Sequence, residues 1–336
     1  MECRVFHHDH CFDGACSASV FTRFHRECIG TASEFSYRGL VHGAGSLFDE
    51  GAFGAGENAV VDFKYYASPK ATWWFDHHLS AFASAADRED FLAVQAVQAE
   101  ARAAGNRAAG GRFYDADYVS CTSLIADVAR EMFGFDTAPL KELIYWADIV
   151  DGARYESAEA AVGMAAPAMK LTMAIEASGA GFVPRVIPLL TEMSLADVVD
   201  QPFVQEELGP LMERHLGGIE LLRERIRLER GVVTFDITDT VTEGYSKFIP
   251  YYLYPAATYT VGLSRSSFRT KISVGTNPWT KVSVEELVNL AEICERYGGG
   301  GHARVGAISF APDKVEDARA AAKVIAEELR GESVGE

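Results

Sequence analysis

The 336-residue chain is short of positive charge: 31 lysines and arginines stand against 48 aspartates and glutamates, a formal net charge of -17 at pH 7. Such a surface repels long polyanions, so no long duplex DNA is expected as a partner. Any nucleic-acid substrate should be short and held by local donors and metal ions. The six cysteines, Cys3, Cys11, Cys16, Cys28, Cys121 and Cys294, contain no C-x-x-C pair. That scatter argues against a zinc ribbon or a disulfide framework and for reduced thiols in a cytosol. No charged segment followed by an apolar stretch opens the chain, so no signal peptide is expected. No apolar run reaches membrane-spanning length; the stretch around Ala161 to Ile175 is broken by Pro167 and Lys170. The expectation is a cytoplasmic protein with no membrane partner.

What is present suits two domains with a large core, since 48% of residues are hydrophobic. Cys3 to His8 reads as a strand, Gly14 to Phe24 as a helix, and Asn58 to Asp62 and Thr72 to Phe75 as short apolar strands. Ser120, Thr122 or Ser123 can cap a helix running to about Met132, and Leu140 to Val150 is helical by pattern. Strands alternating with helices predict a parallel sheet with helices on both faces, an α/β domain. Ala93 to Gly111 reads as a surface helix and loop. Tyr155 to Arg230 reads as almost entirely helical, with Phe203 to Arg230 a connector interrupted at Gly209-Pro210 and Gly217-Gly218. Beyond it, strands at Val232 to Ile237, Thr258 to Leu263, Phe268 to Val274 and Arg304 to Phe310 alternate with helices at Val282 to Arg296 and Val315 to Arg330. These predict a smaller α/β domain with a mixed sheet. The expected division is 1–195, a helical connector at 196–230, and 231–336.

Three polar strings stand out: His7-His8-Asp9-His10-Cys11-Phe12-Asp13-Gly14, Phe75-Asp76-His77-His78, and Gly298-Gly299-Gly300-Gly301-His302. Asp62, Asp76 and the cluster after Phe6 all fall at predicted strand ends. In a parallel sheet those ends share one edge, where ligands bind. Hydrolysis of a phosphoester near neutral pH needs a strong nucleophile and a counter-charge for the developing oxyanion. Two divalent ions roughly 3.5–4 Å apart with a bridging hydroxide supply both. Asp13, Asp62, His77 and Asp148 or Asp151 have the chemistry for such a site. Four successive glycines after a predicted helix can instead bring bare backbone N–H groups close to an anion.

These residues resemble the motifs of the DHH phosphoesterase superfamily, which includes RecJ-type exonucleases, oligoribonucleases and cyclic-dinucleotide phosphodiesterases. The opening string is similar to its first motif, Val60-Val61-Asp62 to its second, Asp76-His77-His78 to its third, and Ala147-Asp148-Ile149-Val150-Asp151 to its fourth. The resemblance implies two divalent cations, Mn2+ first and Mg2+ as the alternative. Asp62 would bridge them, Asp13 and His77 would bind one with Asp148 or Asp151, and His7 or His8 would bind the other. His78 and Asp76 would serve catalysis, His78 facing the substrate and Asp76 orienting its neighbours. Cys11 departs from the pattern, because it stands where the family usually has an aspartate. A soft sulfur there implies a weakened ion or a different metal, with Asp9 and His10 as alternative ligands.

Gly298 to His302 resembles the signature loop of the DHH-associated C-terminal domain, although the tail Val305-Gly306-Ala307 departs from it. The implied substrate contacts are Gly299, Gly300, Gly301, His302 and Arg265, the arginine through a bidentate pair with phosphate or carboxylate. The function implied is hydrolysis of a short phosphodiester: an oligonucleotide, a dinucleotide or a cyclic dinucleotide. A nucleotide-binding protein with lost catalysis, or a pyrophosphatase, stands as the alternative. A homodimer is compatible with the sequence.

Overall fold

Five of the chain's strands assemble side by side in one direction. The computed structural model describes residues 2–32, 34–41, 50–106, 110–179, 181–241 and 244–331. Contacts divide the chain into two units, Met1–Tyr155 with Ala165–Leu211, and Glu156–Met164 with Met212–Glu336.

The first unit holds β1 (Glu2–His8), α1 (Phe12–Phe24), β2 (Glu34–Leu40), β3 (Glu57–Val61), β4 (Trp73–Asp76), α2 (Ala85–Ala103), β5 (Gly111–Tyr114), α3 (Cys121–Phe133) and α4 (Lys141–Asp151). After α5 (Ala158–Val162), which belongs to the second unit, come α6 (Pro167–Ala177), α7 (Val183–Leu190) and α8 (Leu195–Val199). The sheet is parallel throughout, in the order β2-β1-β3-β4-β5. Consecutive tryptophans on β4 anchor its two faces, because strand side chains alternate. Trp73 packs edge-on against Phe24 on one side, and Trp74 packs against Tyr65 and Phe91 on the other. Both indoles are buried and both N–H groups are satisfied, by Glu57 Oε2 at 3.0 Å and the Phe63 carbonyl at 2.9 Å.

Helix α9 (Pro202–Arg225) runs unbroken through the glycines and Pro210 that read as interruptions. The second unit continues with β6 (Arg227–Glu229), β7 (Val232–Val241), α10 (Ile249–Leu253), β8 (Tyr259–Arg265), β9 (Thr270–Thr276), α11 (Leu290–Glu295), β10 (Gly300–His302), β11 (Val305–Phe310) and α12 (Val315–Leu329). Its sheet is mixed, in the order β10-β11-β9-β8-β7-β6, with only β7 and β8 parallel. Strands β8, β9 and β11 bury Val261, Ile272, Val274 and Ile308 against α11 and α12.

The predicted helix at Val282 to Arg296 is a single 3-10 turn, Val284–Glu286, and the short α11. Ser283 caps the turn and Asn289 caps α11, so two start signals divide one apparent helix. Strands β2 and β5 are not legible in the sequence. Most of β2 is only half-buried and carries no clean alternation, and β5 is four residues long and begins at the last residue of the alanine- and glycine-rich stretch. Of that stretch, residues 107–109 lie outside the described residues. No helix among the described residues is long and apolar enough to cross a membrane.

Glu57, on β3, is buried beneath α1. Burial alone would raise its carboxyl, but His25 Nε2 at 3.0 Å, the Thr31 hydroxyl and the Trp73 indole outweigh it and bring it down to about 2. A carboxyl depressed in the folded state stabilises the protein fully above its unfolded value near 4.5, and that stability is lost as pH falls through 2. The shift is worth at most about 3 kcal/mol. Urea melts at pH 6 and pH 3 should therefore show a smaller acid loss in Glu57→Gln than in the parent; equal losses would contradict this account.

Candidate metal centre

Strand register sets three polar groups in a row. His7 pairs with Val61, and Val61 with Phe75, so the residues that follow, His8, Asp62 and Asp76, end three adjacent parallel strands together. Asp62 adopts a left-handed backbone, φ +57°, immediately after β3, a region aspartate tolerates better than most residues. Its N–H still bonds the Phe75 carbonyl at 3.0 Å, so β3 stays tied to β4 while the chain turns.

Helix α1 starts against the same edge. A Cβ on Gly14 would lie 2.2 Å from the His8 carbonyl oxygen, so only glycine lets the helix come this close. That approach delivers Cys11, at the N-cap, and Asp13, in the first turn. Asp13 is clamped by the start of α3: Cys121 N–H donates to Oδ2 at 2.7 Å, and the Thr122 N–H and hydroxyl to Oδ1 at 3.1 and 2.6 Å.

His77 is the meeting point. Its Nε2 lies 3.8 Å from Asp13 Oδ2, 3.6 Å from Asp62 Oδ1 and 3.5 Å from Asp151 Oδ2. Its Nδ1 donates to the Tyr118 carbonyl at 3.1 Å, which fixes the ring. Among the described residues neither His77 Nε2 nor Asp62 Oδ1 has a hydrogen-bond partner, although both are buried. Burial opposes charge on His77, yet Asp62 and Asp13 prevail and lift it to about 10. Burial, reinforced by Asp62 and Asp151, pushes Asp13 well above the ordinary carboxylate range. Burial pushes Asp62 the same way, but His77 and His8 outweigh it and hold Asp62 below that range. A positive charge thus belongs between these carboxylates, as a proton on His77 or as a cation in its place.

Three sets of side chains bring potential ligand atoms within 4.8 Å of one another: His8, Cys11 and Asp62; Asp62, His77 and His78; and Asp13, His77 and Asp151. Two of the three contain Asp62. Buried atoms without partners, together with carboxylate, imidazole and thiol donors, fit a divalent ion.

Of the two histidines the sequence leaves open, His8 is the one that reaches this place, with Nδ1 3.4 Å from Asp62 Oδ2. His7 lies on the other face of β1; its Nδ1 donates to the His8 carbonyl at 3.1 Å, and its buried Nε2 has no partner among the described residues. Asp148 is engaged by α3. Its Oδ1 accepts the hydroxyls of Ser120 at 2.6 Å and Ser123 at 2.7 Å, and Asp151, one turn on, faces His77 instead. Asp9 and His10 pair with each other at the rim and do not replace Cys11, whose Sγ lies 3.6 Å from Asp62 Oδ2. The Asp76 carboxylate holds His77 and His78. Its Oδ1 accepts His77 N–H at 2.9 Å, His78 N–H at 3.3 Å and His78 Nδ1–H at 2.7 Å. His78 is 35% exposed where His77 is 8%, so His78 is open to solvent and His77 is not. Sequence reasoning misses the holders, Tyr118, Ser120, Ser123 and the α3 amides, because a carbonyl or an N-cap carries no mark of the distant side chain it serves.

In the second unit the glycine run has structural duties. The Gly298 and Gly299 N–H groups bond the Glu295 and Cys294 carbonyls at 3.0 and 2.9 Å, closing α11. Gly299 is thus no bare donor. A Cβ on Gly301 would lie 2.2 Å from the Val305 carbonyl oxygen, so glycine is required for the β10–β11 hairpin. Gly300 and exposed His302 lie on β10, an edge strand. Arg265 is not beside them. It pairs with Thr270 at one end of the sheet, whereas His302 is level with Gly275 and Thr260, about 16 Å away along the strand direction.

No protein-family model matches the sequence, and no curated protein matches it. Solved structures do match. A pGpG-specific phosphodiesterase, PggH from Vibrio cholerae, superposes with a TM-score of 0.67 at 16% identity, covering 99% of this chain and 100% of that one. The DHH domain of a protein assigned to a family of ribosomal proteins superposes with a TM-score of 0.50 at 14% identity, covering 98% and 87%. The chain has the fold of DHH-domain proteins, as its motifs imply.

The different settings of Asp148 and Asp151 are testable. Asp151→Asn should remove one bound cation per chain. Asp148→Asn should retain the stoichiometry while weakening affinity about 10–100-fold, the usual effect of losing a group that orients a ligand. Metal analysis after equilibrium dialysis distinguishes them.

Proposed function

We propose that this protein is a metal-dependent phosphoesterase that hydrolyses a short phosphodiester, with a linear dinucleotide as the first candidate. The observation that carries the reading is the buried junction at Asp62, which faces His8 and Cys11 through one oxygen and His77 through the other. The DHH fold and the acidic surface support it, the latter by disfavouring long polyanions. Since a pGpG-specific phosphodiesterase shares the fold over its whole length, pGpG is the first compound to try.

Asp13, Asp62, His77 and Asp151 would hold one cation, and His8, Cys11 and Asp62 the other. Two divalent ions, when bound, supply an activated hydroxide near neutral pH and counter-charge for the phosphoryl oxygens. Mn2+ suits the oxygen-rich side, with Mg2+ as the alternative. His78 is held by Asp76 through Nδ1, and its remaining nitrogen would bind phosphate or protonate the leaving oxygen. The Asp76 hydrogen bond raises the pKa of His78, which favours that donor role. Gly300, Gly301 and His302 on the edge of the second sheet are proposed as a further substrate contact, and Arg265 as a separate one.

The deciding experiment is hydrolysis with Mn2+ across pGpG, di- to pentanucleotide RNA, cyclic dinucleotides and inorganic pyrophosphate. Turnover of a linear dinucleotide above the rest is expected. Binding of two ions without turnover of any phosphodiester would defeat the reading, and pyrophosphate as the best substrate would replace it with a pyrophosphatase. Among variants, Asp62→Asn should abolish both metal binding and activity. His78→Ala should keep both ions and lose about 10^2–10^4-fold in kcat.

A further inference from the structure

The two oxygens of Asp62 look onto chemically unlike surroundings. Oδ1 faces His77, and beyond it the carboxylates of Asp13 and Asp151. Oδ2 faces His8 Nδ1 at 3.4 Å and Cys11 Sγ at 3.6 Å. The first set is rich in oxygen; the second offers a sulfur, a nitrogen and one carboxylate. Ligand softness separates divalent ions: carboxylate sites suit Mn2+ and Mg2+, while thiolate favours zinc and its soft neighbours.

Other uses for Cys11 are poorly served by its place. Cys3, Cys16 and Cys121 are packed into the apolar core of the first unit, but Cys11 is not part of it. It occupies the N-cap of α1 without a side-chain capping hydrogen bond. Its sulfur points to a carboxylate that is 1% exposed and whose other oxygen has no hydrogen-bond partner among the described residues.

We infer that His8, Cys11 and Asp62 form a thiophilic cation site, taking Zn2+, Co2+ or Fe2+ in preference to Mn2+ or Mg2+, so that the centre holds two unlike ions. The inference rests on the two-cation reading above but not on any particular substrate. Binding exchanges the Sγ–H bond for a sulfur–cation bond, with the proton released to solvent and no change of oxidation state.

Cobalt loading of the metal-free protein tests it. Two Co2+ per chain are expected, with one sulfur-to-cobalt charge-transfer band in the near ultraviolet. The band should vanish in Cys11→Ser and Cys11→Asp but persist in Cys28→Ser, the other partly exposed thiol. Zn2+ should abolish the band at concentrations where Mn2+ does not. In Cys11→Asp the ratio of Mn2+ to Zn2+ affinity should rise by about 10-fold or more, because a carboxylate suits Mn2+ and a thiolate suits zinc. Two bound Co2+ with no band, or a band unchanged in Cys11→Ser, would overturn the thiophilic site and leave the two-cation reading standing. No bound Co2+ at all would overturn both.

Discussion

Three carboxylates converge on one imidazole nitrogen at the end of a parallel sheet, and no lysine or arginine among the described residues pairs with them. Every ion pair that Asp13, Asp62, Asp76 and Asp151 make among the described residues is with a histidine. Two like charges 4 Å apart repel by about 4 kcal/mol at an effective dielectric of 20. A cluster of this kind would destabilise the fold unless something positive enters it. A proton on His77 gives partial relief and leaves Asp13 pushed far above its usual range. Divalent ions relieve it more completely, and the orphaned Asp62 Oδ1 and His77 Nε2 are already turned toward one another's side.

The surrounding fold holds this arrangement in place. Parallel register fixes His8, Asp62 and Asp76 in one row, and a one-residue slip in any strand would turn its polar terminus to the wrong face. Trp74 bonds the carbonyl of Phe63, directly after Asp62, and so secures the left-handed turn from beneath. Gly14 removes the one atom that would keep α1, and with it Cys11 and Asp13, away from β1.

Sequence carries the architecture furthest where hydrophobic period and polar termini agree. β1, β3 and β4 and their terminal residues are legible because each apolar run stops at an Asp or His. What escapes is set by tertiary partners. Asp148 and Asp151 are equivalent as letters on one helix, and only the Ser120 and Ser123 hydroxyls separate them. His7 and His8 differ by which face of β1 each occupies, a matter of register. The glycine run reads as an anion cradle in sequence, yet two of its N–H groups close a helix far shorter than the continuous one the pattern suggests. Arg265 and His302 are both implied substrate contacts in the sequence, and strand pairing sets them apart.

Asp151 is the most telling of these side chains. It is the final residue of α4, where the helix macrodipole is negative and a carboxylate is disfavoured by roughly 0.3–1 kcal/mol. Burial, together with Asp62, raises its pKa further against ionisation. A lysine there would serve the helix better. Asp13, in contrast, sits in the first turn of α1 and accepts amides from the start of α3, two favourable settings for negative charge. Burial disfavours charge on both carboxylates, but Asp13 keeps amide and hydroxyl donors from the start of α3, whereas Asp151 faces His77 from the negative end of a helix. Local donors account for part of the Asp13 setting, and a cation shared through Asp62 and His77 would relieve Asp13 and Asp151 together.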